Sequence, residues 1–171
     1  VPQASNNEPG AGLGLSGEPI GEIRAAAWVL ARSMNQARLH ERIVKAAGVK
    51  LDRAGAALLY MLNAHGDSSV TGLAELLGVD APTVTRKVQQ LEREGLVVRH
   101  GDTEDRRVSR IRLTSIGRHT LDKVQKSRRV WFDQIFAGWD ETELNSFACM
   151  LGRFASAVEH DLEDAHCVGR R

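Results

Sequence analysis

Val70-Thr71-Gly72-Leu73-Ala74-Glu75-Leu76-Leu77-Gly78-Val79-Asp80-Ala81-Pro82-Thr83-Val84-Thr85-Arg86-Lys87-Val88-Gln89-Gln90-Leu91 is the stretch on which the reading of this 171-residue chain turns. Its apolar residues fall at helical spacing on both sides of Gly78: Leu73 and Leu77 before it, Val84, Val88 and Leu91 after it. Thr71 is placed to cap a short helix over Gly72–Leu77, and Asp80 a second one running to Gly95. A helix-turn-helix makes three demands together. It needs a small residue where the helices cross (Ala74), a glycine for the tight turn (Gly78), and apolar filling between the helices (Leu73, Leu77, Val79, Val84, Val88). The second helix then offers Ala81, Pro82, Thr83, Thr85, Arg86 and Gln89 on its first turns and outer face. Short polar groups with one Arg and one Gln are what base edges in a major groove can bond.

Immediately downstream the period changes from helical to alternating. Leu96–His100 reads as one strand and Val108–Leu113 as another, with Ile111 and Leu113 on one face and Arg110 and Arg112 on the other. The connecting Gly101-Asp102-Thr103-Glu104-Asp105-Arg106-Arg107 is a polar loop longer than a two-residue turn. A helix-turn-helix followed by a basic-tipped hairpin is a winged arrangement. It places Arg106 and Arg107 where arginine enters a narrow minor groove, with Asp105 bracing them. Thr71, Lys87, Arg110 and Arg112 are the residues expected to meet phosphates.

Working outward, residues 1–19 hold Pro2, Pro9, Pro19 and several glycines, and read as a flexible arm. Ile20, Ile23, Ala27, Leu30, Met34, Ile43 and Val44 predict one long helix that ends near Gly48, filling an N-terminal segment over residues 20–50. Asp52 caps a helix carrying Leu58, Leu59 and Leu62 and closed by Gly66, so the winged unit spans residues 51–113. Thr114 opens a long helix, and Asp140-x-x-Glu143 opens the last one in the manner of a capping box. That last helix repeats Leu144, Phe147, Leu151, Phe154, Val158 and Leu162 at steps close to an a/d seam. With Ile23 these residues predict a dimer interface, giving paired dimerisation helices over residues 114–163 and a tail over 164–171. The expected architecture is mainly α: a winged helix-turn-helix with a two-stranded β wing, flanked by long dimerisation helices.

The formal net charge of +1 hides a gradient. Residues 70–130 carry +5 and residues 131–171 carry −5, as expected of a polyanion-facing middle and an acidic end. No run of about 18 apolar residues is present, which excludes a membrane-spanning helix. No segment pairs a basic start with an apolar core, so the cytoplasm is the expected compartment.

The run Leu73–Val79, continued through Leu91-Glu92-Arg93-Glu94-Gly95-Leu96-Val97, resembles the reading head of the multiple-antibiotic-resistance regulator (MarR) family. Asp102-Thr103-Glu104-Asp105-Arg106-Arg107 followed by Leu113-Thr114-Ser115-Ile116-Gly117-Arg118 is similar to that family's wing. The resemblance covers roughly residues 20–163 and is strongest between 70 and 120. It implies a homodimeric transcriptional regulator, most often a repressor, on pseudo-palindromic double-stranded operators. It also implies that Arg86 contacts bases, that Asp105 and Arg107 form a D-x-R wing pattern, and that Pro82 and Thr83 meet bases or phosphates. The family's small-molecule effectors enter between the dimerisation helices and the head. Here that region would be bordered by Met34, Arg38, Met61 and the start of the helix after Thr114. The arm of residues 1–19 is longer than the family pattern.

Other signals are weaker. The histidines show no i, i+4 pair with carboxylate support, and His160, His166 and Cys167 form the one cluster, so neither metal nor cofactor is expected. Cys149 sits among apolar residues and reads as an inert core or interface thiol. Trp28, Trp131 and Trp139 read as helix packing ahead of a ligand pocket. No nucleophile–base pairing or phosphate-cradling loop is present, which argues against an enzyme. The remaining rival is a winged-helix adaptor that binds protein and ignores DNA; the basic middle segment argues against it.

Overall fold

The computed structural model describes residues 18–101 and 109–168, with side chains described through residue 161. In chain order the elements are α1 (Pro19–Met34), α2 (Ala37–Ala46), α3 (Arg53–His65), β1 (Ser68–Ser69), α4 (Val70–Leu77), α5 (Ala81–Arg93), β2 (Val97–Gly101), β3 (Ser109–Leu113), α6 (Ser115–Ile135) and α7 (Glu141–Val168). Contacts cluster into two compact units, dividing within α6 after Ser127. Among the described residues no helix is long and apolar enough to cross a membrane.

The first unit holds the core. Leu58, Leu59 and Leu62 of α3, Leu73 and Ala74 of α4, and Val84, Val88 and Leu91 of α5 bury together with Val97, Ile111 and Leu113 of the sheet and Leu121 and Val124 of α6. Helices α3, α4 and α5 each bury the stripe that their spacing predicts, and polar residues take the other side. Asp52 caps α3 by accepting the Gly55 N–H at 2.7 Å, and Asp80 caps α5 by accepting the Thr83 N–H at 2.8 Å. Gly78 ends α4 with φ +64°, which an L side chain adopts only at a cost. There the Gly78 and Val79 N–H groups bond Glu75 O and Ala74 O at 3.2 and 3.1 Å, closing the orphan carbonyls of the helix end.

The sheet is antiparallel in the order β1-β3-β2. Ile111 and Leu113 are buried while Arg112 is exposed, as the alternation requires. The spacing predicts two strands, and the structure adds a third. Ser68 pairs with Ile111 and Ser69 with Arg110, and this pairing moves the start of α4. Ser69, held extended by the sheet, is the N-cap in place of Thr71; its Oγ accepts the Gly72 N–H at 3.1 Å. The long N-terminal helix is also two helices rather than one. Asn35 gives its carbonyl to the Arg53 guanidinium at 2.8 Å and its side-chain oxygen to the same group, and Gln36 turns extended before α2 begins. No strong apolar residue between Met34 and Leu39 holds a continuous helix to a surface.

The junction of β3 and α6 is tight. Thr114 accepts the Gly117 N–H at 2.9 Å and donates its hydroxyl to Gly95 O at 2.7 Å. Gly117 then lies so close that an added Cβ would stand 2.0 Å from Leu96 O.

In the second unit, Asp140 and Glu143 form the reciprocal capping box, each accepting the other's backbone N–H at 2.8 Å. Phe136, Trp139 and Phe147 meet with ring centroids 5.2 to 5.9 Å apart, and Phe132 and Trp131 extend the cluster. Two of the three tryptophans thus pack against phenylalanines, while Trp28 is exposed beneath the Arg32 guanidinium. Backbone helix continues to Val168, past the expected start of the tail at 164. The arm over 1–17 and residues 169–171 lie outside the described residues.

Candidate nucleic-acid interface

Helix α5 is fixed from behind and open in front. Val84, Val88 and Leu91 are each no more than 2% exposed, which clamps the helix to α3 and α4. Pro82, Thr83, Arg86 and Gln89 are exposed, while Ala81 and Thr85 are half-buried at the edge of this surface. Pro82 occupies the first turn, where a missing N–H costs nothing. Arg93 continues the row of Pro82, Arg86 and Gln89 at helical spacing and is exposed as well. Sequence reasoning missed it, although the same i, i+4, i+7 count extended four residues further reaches it.

The arginines are braced along the helix. Arg86 Nε donates to Pro82 O at 3.3 Å and Arg93 Nε to Gln89 O at 3.2 Å, which leaves the terminal nitrogens of each guanidinium for other acceptors. The hydroxyl of Thr85 donates to Ala81 O at 2.9 Å. Thr83 donates its hydroxyl to Asp80 Oδ2 at 2.7 Å. The Thr83 hydroxyl and the Thr83 N–H hold the Asp80 carboxyl below its ordinary value, so the cap stays ionised.

The residues expected on phosphate separate into two kinds. Thr71 and Arg112 are exposed. Arg110 is half-buried and donates to Asp67 O at 3.2 Å. The Lys87 ammonium lies 2.5 Å from Asp52 Oδ2 and donates to Gln90 Oε1 at 2.8 Å, tying α5 to the start of α3. Partial burial pushes the Asp52 carboxyl up, but the Lys87 hydrogen bond and charge and the Gly55 N–H outweigh it, and the net shift is downward. Sequence reasoning missed this tie because its partners are 35 residues apart. It missed His100 Nε2 with Asp67 Oδ2 at 2.8 Å, 33 residues apart, for the same reason, and also missed Arg99 Nε on Glu92 Oε2 at 3.0 Å, which joins β2 back to α5 across the turn at Gly95. The wing-tip residues Asp105, Arg106 and Arg107 lie outside the described residues.

Of the residues expected to border an effector, Met34 and Arg38 are exposed and Met61 is half-buried against the core. Two grooves in the described part of this unit are lined by other side chains. One, of about 370 Å³, runs between α3, the α4–α5 turn and the start of α5 (Ala54, Ala57, Leu77, Val79, Thr83). The other is a shallow depression along α1 beside Trp28. Among the described residues no three His, Cys, Asp or Glu side chains are grouped to hold a metal ion, and the side chains of His166 and Cys167 lie outside them. Cys149 is exposed in the single chain, which sets aside the core reading and leaves the interface one.

Residues 52–109 match the family model described as MarR family. The chain is 29% identical over 123 residues to the HTH-type transcriptional repressor IacR of Pseudomonas putida, covering 72% of this chain and 70% of that protein. It is 32% identical over 107 residues to the uncharacterised HTH-type transcriptional regulator YxaD of Bacillus subtilis, covering 63% and 75%. In fold it is similar to a MarR family protein from Bacillus stearothermophilus, with a TM-score of 0.74, 21% identity, and coverage of 82% of this chain and 95% of that one. These relatives are regulators of transcription and not enzymes. The family match runs from the Asp52 cap to the first residue of β3, and with a relative 32% identical of which the chain covers 75%, the chain belongs to the MarR family of DNA-binding transcriptional regulators.

Proposed function

We propose that the chain acts in the cytoplasm as a homodimeric repressor that reads a pseudo-palindromic operator and is released from it by a small-molecule effector. The observation that carries the operator reading is the row of Pro82, Thr83, Arg86, Gln89 and Arg93, exposed on a helix whose opposite side is locked in the core. In this reading α5 lies in the major groove, with Arg86 bidentate on a guanine. Thr71 and Arg112 meet phosphates, and Arg110 adds its charge from the base of the wing. Lys87 would do so only by exchanging Asp52 for phosphate. Arg106 and Arg107, braced by Asp105, enter the minor groove. The repressor assignment is supported by the name borne by the Pseudomonas putida relative. The effector reading rests on the family, with Met34, Arg38 and Met61 as the residues to probe.

A mobility shift with mixed genomic fragments tests the reading. Affinity is expected to fall about 10³-fold or more between 50 and 200 mM salt if six or more phosphates are neutralised. Arg86→Ala is expected to cost about 1–3 kcal/mol on the cognate duplex and to relax sequence preference. Equal weakening on cognate and random duplexes would remove the base-reading role. Salt-independent binding would remove the DNA reading as a whole.

The dimer is supported by apolar surface that a lone chain leaves in water. Helix α1 has no buried residue and exposes Ile20, Ile23, Trp28, Leu30 and Met34; α7 exposes Met150, Leu151, Phe154 and Val158. Leu144 and Phe147 are half-buried at the start of the same helix. A second copy covering these faces would bury them at about 25 cal/mol per Å². Sedimentation is expected to give a dimer at micromolar concentration and a monomer for the Leu151→Glu, Phe154→Glu double variant. A wild-type monomer would refute the two-headed operator.

A further inference from the structure

Thr83 stands one turn before Arg86 on the exposed side of α5, and its hydroxyl proton is already committed. Its Oγ donates to Asp80 Oδ2 at 2.7 Å while its backbone N–H donates to Asp80 Oδ1 at 2.8 Å. An ionised carboxylate only accepts, so the hydroxyl has no freedom to reverse that bond. What Thr83 turns outward is therefore a pair of acceptor lone pairs. Arg86 has the opposite polarity: its guanidinium only donates, and with Nε on Pro82 O its terminal nitrogens are left to donate elsewhere. A free threonine hydroxyl serves either a keto or an amino edge, and alone reads neither. Held by Asp80, it discriminates. In the major groove adenine N6 and cytosine N4 donate, while guanine O6 and thymine O4 accept.

We propose that Asp80 fixes Thr83 as an acceptor, so that the strand facing Thr83 is selected for an amino-bearing base, adenine or cytosine, beside the guanine read by Arg86. The inference rests on the operator reading above and adds to it a positioning residue, Asp80, that touches no base itself. Asp80→Asn separates the polarity from the cap. Asparagine is as good an N-cap as aspartate, so its oxygen keeps the Thr83 N–H. Its NH₂ then takes the place of Oδ2 and donates to the Thr83 oxygen, which turns the hydroxyl proton outward. The preferred base should change from amino to keto, from adenine or cytosine to guanine or thymine.

The experiment selects bound sequences from a pool of synthetic duplexes with a randomised core, using the full-length chain and its Asp80→Asn, Thr83→Val, Thr83→Ser and Arg86→Ala variants. One hydrogen bond should give the wild type about a three- to tenfold preference for adenine or cytosine at one position per half-site. Thr83→Ser should keep that preference, Thr83→Val should abolish it, and Asp80→Asn should reverse it, with the neighbouring guanine retained in all three. The proposal is overturned if Asp80→Asn leaves the amino preference in place while the guanine persists, or if no position responds to Thr83→Val. If no sequence is enriched, or if Arg86→Ala leaves the enriched sequence unchanged, the operator reading fails and takes this proposal with it. Melting curves of each variant identify loss of α5 itself. Thr83→Ser, which retains cap and hydroxyl, keeps the polarity argument decidable if Asp80→Asn unfolds, because losing the preference in that folded variant overturns the proposal and keeping it supports it.

Discussion

Gly117→Ala is expected to destabilise the DNA-binding unit by about 3 kcal/mol or more, at the upper end of what overpacking costs. The new Cβ would stand 2.0 Å from Leu96 O and 3.0 Å from the Leu96 carbonyl carbon. These atoms belong to backbone, so no rotamer change relieves the overlap. The same oxygen accepts the Thr114 N–H at 3.1 Å and shares the single Thr114 hydroxyl proton with Gly95 O, at 3.2 Å against 2.7 Å. If Leu96 retreats, it gives up the bonds that set the start of α6; if α6 retreats, Leu121 and Val124 leave the core. Alanine's better helix propensity returns only about 1 kcal/mol. Urea titration checks this: the midpoint should drop with the slope unchanged. Gly152→Ala is the matching control, since nothing lies within 4 Å of its added Cβ. It should be neutral or stabilising. A Gly117→Ala protein as stable as wild type would mean that the β3–α6 junction yields where the structure has it rigid.

Leu59→Ala should cost about 2–5 kcal/mol. Leu59 is fully buried in α3, in the cluster that also holds Leu73 of α4, Val88 of α5 and Ile111 of β3. Its helix α3 packs against α4, α5 and β3, so deleting the side chain leaves a cavity in a core that several elements hold open. Helix α5 has no support on its outer side, where Pro82, Thr83, Arg86, Gln89 and Arg93 are exposed. DNA affinity should therefore fall as the folded fraction falls, and recover at low temperature or low urea. A variant that melts as wild type does would show that the core repacks around the loss.

Much of the head was legible in the sequence because its determinants are local. Gly78, Asp80, the stripe of Val84, Val88 and Leu91, and the alternation of Ile111 and Leu113 with Arg110 and Arg112 each act within a few residues, and the structure has them as the spacing required. The departures share one physical cause, a partner distant in the chain. Asn35 ends α1 because Arg53, 18 residues on, takes its carbonyl. Ser69 displaces Thr71 as the cap because β3 holds it extended. Lys87 has the charge and position for a phosphate, and nothing in its own helix betrays the carboxylate of Asp52. Arg93 is different: its signal is local, one helical turn beyond Gln89. For the DNA contacts as a set, the sequence supplies residue types and a face, and the binding experiments above supply the rest.

Ser69 serves two elements at once. Its backbone is the final rung of the pairing with β3, opposite Arg110, and its side chain is the first hydrogen bond of α4. There is no linker between the sheet and the helix-turn-helix in which strain could relax. A pull on β3 passes through one residue to α4, the helix packed against α5. Wing and head should therefore exchange their amide hydrogens as one cooperative block, and a disturbance at either end of that block should be felt at the other.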